Sequence, residues 1–163
     1  MSERHRHSTV RLARYADMEG ILETLLKALA STDTPFPEPE QPYAQQYNLD
    51  KIAQQLVFVA ENEAGRIVGC IILSYAHWPW TRPSSESGKH LLNEHFWVEP
   101  EYRRGGTASR LIKAAQDRAD AVKLPLLLEI SSEDANSDLK DRFVRHQGFK
   151  YVGGKFYRPA RGG

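Results

Sequence analysis

Apolar positions recur along the chain in two rhythms, and each change of rhythm marks an element. Thr9 to Ala13 reads as a short first strand. Met18, Ile21, Leu22, Leu25 and Leu29 then fall at helical spacing, with Asp17 placed to cap that helix. Ser31 to Pro42, rich in proline, acidic residues and turn formers, is a loop, and Tyr43 to Gln55 forms a second, weaker helix. Leu56 to Glu61 and Arg66 to His77 carry Val, Ile and aromatic residues and pair as a hairpin through Asn62-Glu63-Ala64-Gly65. Trp78-Pro79-Trp80-Thr81-Arg82-Pro83 breaks that pattern into a polar loop.

His90 to Val98 is the central strand, and a strong helix follows from Thr107 to about Val122, its apolar face made by Ala108, Leu111, Ile112, Ala115, Ala119 and Val122. Leu126 to Ile130 is apolar without a break, as in a strand buried on both faces beside a parallel neighbour, and the crossover joining it to His90–Val98 is right-handed by rule. Asn136, Ser137 and Asp138 open a final helix to about His146, which Gly148 ends. Phe149 to Val152 and Lys155 to Arg158 make a last hairpin through Gly153-Gly154.

Strand, basic glycine-rich turn and helix meet at Val98-Glu99-Pro100-Glu101-Tyr102-Arg103-Arg104-Gly105-Gly106-Thr107-Ala108. Such a junction aims several backbone N–H groups and the positive end of a helix dipole at one point, a seat for a phosphate or pyrophosphate. Glycine lets the backbone approach the ligand, and Arg103 and Arg104 add charge.

Composition narrows the classes. The chain has 163 residues, 40% hydrophobic and 26% charged, which suits one domain with its own core. A net charge of +1 argues against a dedicated nucleic-acid binder, although Arg4, Arg6, Arg103 and Arg104 are basic. The single Cys70 excludes an internal disulfide and a Cys-rich zinc site, and its apolar surroundings mark it as a buried structural thiol. No metal site is expected. No apolar run reaches the length of a membrane helix and the polar N-terminus is no signal peptide, so the expectation is a reduced, cytoplasmic compartment. The first eight residues read as a flexible tail, 9–158 as one domain and 159–163 as a second tail.

The stretch from His95 to Ala108 resembles motif A of the GNAT N-acetyltransferase superfamily. The pyrophosphate loop of that family reads Arg/Gln-x-x-Gly-x-Gly/Ala, met here by Arg103, Gly106 and Ala108, and Gln147-Gly148-Phe149 is similar to the end of its motif B. The resemblance covers roughly residues 9 to 158. It implies an α/β (α+β) fold with a mixed central sheet of about six to seven strands flanked by about four helices. It also implies acetyl-CoA as acyl donor, held by Arg103, Arg104, Gly105, Gly106, Thr107, Ala108 and Ser109 at the pyrophosphate, by Trp97 and Val98 along the pantetheine arm, and by Asn136. The reaction implied is direct acyl transfer to an amine of a small molecule or peptide.

An attacking amine must lose a proton, so a general base helps. Glu94 is the first candidate, placed by strand alternation on the face of Phe96 and Val98, and His95 is the alternative, on the opposite face unless a bulge intervenes. Phe36, Tyr43, Trp78 and Trp80 are candidate acceptor contacts, with Tyr47, Glu38 and Glu40 beside them. One departure stands out: many family members carry a Tyr on the last helix as acid for the leaving thiolate, where this chain has Phe143 and Val144, with His146 or Tyr151 as the nearest substitutes. That gap keeps a second reading in view, a catalytically silent CoA-binding or protein-interaction module. Exposed strand edges leave room for a homodimer.

Overall fold

The structure is a computed structural model in which residues 6–130, 137–154, 158 and 160 are described. It runs β1 (Ser8–Leu12), α1 (Met18–Ala30), α2 (Gln41–Ala53), β2 (Val57–Asn62), β3 (Ile67–His77), β4 (Lys89–Val98), α3 (Thr107–Ala121), β5 (Leu126–Leu127) and α4 (Ser137–His146). Short 3-10 turns lie at Tyr15–Asp17, Glu86–Gly88 and Pro100–Gly105.

The five strands lie in sequence order in one mixed sheet. The first four are antiparallel neighbours, and β4 pairs β5 in parallel through Leu91↔Leu126 and Leu92↔Leu127. Strand alternation sends two sets of side chains to opposite faces. Phe58, Ala60, Ile71, Leu73, Leu91 and Val98 pack under Leu111, Ala115 and Ala119 of α3, while Val57, Val59, Cys70 and Ile72 pack under Ile21 of α1 and Ile52 of α2. Cys70 is fully buried, and burial pushes its thiol well above the ordinary range. Among the described residues no helix is long and apolar enough to cross a membrane.

Four expectations are corrected. The sheet has five strands among the described residues rather than six or seven. Leu126 to Ile130 pairs over only Leu126–Leu127, because the Asn93 side chain takes over at the next position: its Nδ2 donates to the Glu129 carbonyl at 2.9 Å and its Oδ1 accepts from the Glu129 N–H at 2.6 Å. With so short an edge to pair against, Phe149 to Val152 is irregular, with Tyr151 and Val152 exposed; Lys155 to Tyr157 lies outside the described residues. Asp17 does sit at the α1 N-cap, yet its side chain caps nothing there. Arg11 holds that carboxylate through Nη1 at 2.7 Å and Nη2 at 2.9 Å, and it accepts from the Arg14 N–H at 2.7 Å.

Candidate functional site

The junction between β4 and α3 is tightly built. The 3-10 turn Pro100–Gly105 runs into Gly106, whose φ of 77° and ψ of 8° are left-handed, and α3 starts at Thr107 with no side chain capping it. A helix start leaves its first N–H groups without intrahelical partners, so those of Thr107, Ala108 and Ser109 face outward as donors. Thr107 is fully buried, its Oγ1 2.6 Å from Ser8 Oγ, so its backbone and not its hydroxyl is offered to a ligand. Arg110 ties the same corner: Nη1 donates to Gly105 O at 3.1 Å and Nη2 to Ser8 O at 3.0 Å. A Cβ on Gly105 would stand 2.7 Å from the Arg6 carbonyl oxygen, a backbone atom that cannot give way. The first strand therefore braces the loop.

Ala108 packs on the core and Ser109 Oγ accepts from Gln147 Nε2 at 3.3 Å. Arg103 and Arg104 are exposed. Arg103 Nε donates to Val98 O at 2.9 Å, and its guanidinium lies 4.8 Å over the Trp97 ring. Asn136 lies outside the described residues.

The strand leading into this junction has one open edge. The Glu99 N–H bonds Val68 O at 2.8 Å, so Val98, one residue earlier, turns its N–H and C=O to the side away from β3. On that side pairing with β5 stops at Leu92, and the Asn93 bridge ends the contact. From there to Val98 the main chain has no strand partner among the described residues. Glu99 itself is buried structure: its Oε1 meets Arg66 Nη1 at 2.6 Å and Lys27 Nζ at 2.5 Å. Burial alone would raise its carboxyl pKa, but the two cations outweigh it and hold the group below the usual range.

At the open edge β4 carries a bulge. Leu73 pairs with Asn93 and Ile72 with His95, which leaves Glu94 as the extra residue. The alternation argument for Glu94 therefore fails. Its carboxylate accepts from the Tyr47 hydroxyl of α2, so it faces α1 and α2, while Phe96 and Val98 join the core under α3. Because Tyr47 spends its proton on Glu94, the Ser74 hydroxyl donates to the Tyr47 oxygen across 3.2 Å. Burial pushes the Glu94 carboxyl above its ordinary pKa, toward the range in which a carboxylate accepts protons effectively.

The bulge brings His95 to the same side, but deeper. It is buried, with Nε2 3.0 Å from Thr24 Oγ1. Thr24 gives its proton to Ile21 O at 2.7 Å, so the His95 Nε2 carries the hydrogen shared with Thr24. Burial pushes the His95 pKa down to about 4, which suits a neutral structural imidazole better than a proton acceptor. A stability consequence follows. Unfolded, this histidine titrates near its ordinary 6.5; folded, it titrates near 4. Its contribution is complete above about pH 6.5 and is lost as pH falls toward about 4, on the order of 3 kcal/mol. Urea unfolding from pH 8 to pH 4 should show this loss, and the difference between the parent and His95→Gln should carry it.

The acceptor candidates form two groups. Phe36 and Tyr43 are exposed on the loop before α2 and on its first turn, with Tyr43 one helical turn before Tyr47. Trp78 and Trp80 stack on each other at 5.1 Å between centroids, and Trp78 lies 4.8 Å from His90. On α4, Phe143 and Val144 are half-buried and His146 is exposed. Sequence reading passed over Asn93 and Ser74, whose only signal is a polar residue inside an apolar strand.

Residues 24–149 match the model of the acetyltransferase (GNAT) family. No curated protein matches the chain in sequence. Among solved structures it resembles a predicted acetyltransferase with acetyl-CoA from Clostridium acetobutylicum, at TM-score 0.71 and 15% identity over 94% of this chain and 96% of that one. The aminoglycoside N-acetyltransferase AAC(6')-Iy in complex with the bisubstrate analogue CoA-S-monomethyl-acetylneamine aligns at TM-score 0.69 and 18% identity, over 95% and 99%. The aminoglycoside 6'-N-acetyltransferase AAC(6')-Ih from Acinetobacter baumannii aligns at 0.66 and 14%, over 96% and 100%. At these identities the likeness is one of fold.

Proposed function

The chain belongs to the GNAT acetyltransferase family, and from that premise we propose that it moves an acetyl group from acetyl-CoA to a primary amine of a small molecule or peptide. The observation that carries the reading is the uncapped start of α3, entered through left-handed Gly106, beside an open β4 edge on which Glu94 stands. The fit to the donor is chemical. The N–H groups of Thr107, Ala108 and Ser109 suit a pyrophosphate, with Arg103 and Arg104 as nearby positive charge, and the outward N–H of Val98, next to Trp97, suits an amide-bearing arm, while its carbonyl holds Arg103. Two solved structures of the same fold, named above, carry acetyl-CoA or a CoA conjugate, in keeping with this assignment.

Acetyl-CoA supplies the activated thioester. The chain's own residues orient it and handle the acceptor's proton. The Glu94 carboxylate, on the exposed side of β4, takes a proton from the incoming ammonium or amine, and the Tyr47 hydroxyl keeps it aimed. His95 supports the bulge through Thr24 and stays neutral. α4 carries no tyrosine to act as an acid, and a thiolate is weakly basic enough that its departure would not require one.

The test is thiol release from acetyl-CoA across a panel of primary amines that includes aminoglycosides and peptides, with product mass as confirmation. Acetylated product with matching thiol release is the expected result. Tight acetyl-CoA binding with no turnover on any amine would overturn the enzyme reading in favour of a CoA-binding module.

A further inference from the structure

We propose that Lys51 is acetylated by this chain's own site, so that α2 carries a self-acetylation position beside Glu94. This rests on the reading of Glu94 as the proton acceptor and of acetyl-CoA as the donor, and adds an acceptor built into the fold.

Tyr47 brings the two groups together. Its hydroxyl meets Glu94 of β4 and Ser74 of β3, so the ring reaches from α2 across the sheet toward the bulge. One helical turn further on, Lys51 lays its Nζ 5.1 Å from the centre of the same ring. The backbone agrees with that placement. Lys51 O accepts from the Leu56 N–H at 3.0 Å, and Leu56 O accepts from the Leu73 N–H at 2.8 Å. Leu73 in turn pairs with Asn93, the neighbour of Glu94. Leu56 and Asn93 therefore lie on one line across the sheet, two strand spacings of about 4.8 Å apart. Lysine carries its charge on a flexible four-carbon stem, and rotation about the outer bonds moves Nζ along the ring toward the hydroxyl end, where Glu94 stands.

The amine is also held in a way that favours reaction. Among the described residues no carboxylate pairs with Lys51, whereas Lys27 and Lys113 are each tied to acids. Its side chain is half-buried, and burial pushes the amine below its ordinary pKa against the opposing charge of Asp50. What burial takes from the ammonium it gives to the free amine, the form that attacks. The step balances. The neutral Lys51 amine attacks the acetyl carbonyl carbon, an N–C bond forms, and the C–S bond breaks with its electron pair on sulfur. Glu94 takes the proton that nitrogen sheds, leaving N-acetyl-lysine and the CoA thiolate.

The experiment incubates the full chain with acetyl-CoA and no amine, digests it, and reads acetyl occupancy at each lysine by peptide mass. Lys51 should be acetylated about tenfold faster than any other lysine, or more, and Glu94→Gln should remove that preference. Lys51→Arg keeps a cation over the Tyr47 ring and should leave no other lysine modified in its place. A second readout needs no CoA. At neutral pH, limiting acetic anhydride should acetylate Lys51 ahead of exposed, ion-paired Lys113, in the parent and in Glu94→Gln alike. Acetyl spread evenly over the lysines, occupancy at Lys51 that survives Glu94→Gln, or an anhydride rate at Lys51 below that of Lys113 would each overturn the proposal. The amine panel answers a separate question. Acetylated product from added amines with Lys51 unmodified would sink this inference and leave the acetyl-transfer reading standing. Acetyl on Lys51 that depends on Glu94, with no product from the panel, would support the inference and remove the external amine.

Discussion

Replacing Glu94 by Gln should lower kcat about 100-fold or more while the KM for acetyl-CoA stays within about twofold. The substitution is nearly isosteric, and its side-chain carbonyl can still accept the Tyr47 hydroxyl bond, so the bulge and the packing around it survive. What disappears is the negative charge and the site for the proton. The pH profile supplies the second readout. A carboxyl raised by burial must ionise before it can accept a proton, so kcat/KM in the parent falls as pH drops through that raised pKa. The variant should lose that limb. An unchanged kcat would remove Glu94 from the reaction and leave it as Tyr47's structural partner.

Gly106→Glu should abolish acetyl-CoA binding in calorimetric titration, an affinity loss of about 100-fold or more, because an anion then stands at the uncapped start of α3. Folding should survive. A non-glycine residue at this left-handed φ costs about 1–2 kcal/mol, and the new Cβ would meet only the flexible tip of Arg110, at 3.1 Å. Gly106→Ala bears the same backbone strain without the charge. It should keep acetyl-CoA affinity within about tenfold, so the comparison isolates electrostatics from geometry. Equal binding by the parent and Gly106→Glu would move the donor site away from this loop.

The two predictions differ in how much of their basis could be read from the chain alone. The loop was legible because everything that defines it is local. Val98 to Ala108 is contiguous, the glycine and arginine positions are set by spacing, and the helix after it shows its apolar stripe at Leu111, Ala115 and Ala119. The hairpin of β2 and β3 was legible for the same reason, since two runs rich in Val, Ile and aromatic residues joined by a four-residue turn need no distant partner.

Glu94 was named from the sequence but put on the wrong face. Alternation holds only while a ladder stays in register, and the extra residue in β4 exists only relative to β3, between Ile72 and Leu73. The shortness of β5 has a similar origin, because an asparagine side chain can replace a strand's hydrogen bonds only once the two strands lie side by side. His95 shows the same divide in its chemistry. Its residue type suggested a base, and burial beside Thr24 of α1, far off in sequence, lowered its pKa out of that role.

The sequence by itself determined the element order through α4, the glycine-rich loop before α3 and the residue types around it, since these depend on spacing and side-chain character within single elements. The tertiary structure alone decided which face each β4 side chain takes and how basic it is. Those properties belong to contacts between elements, and no single segment contains them.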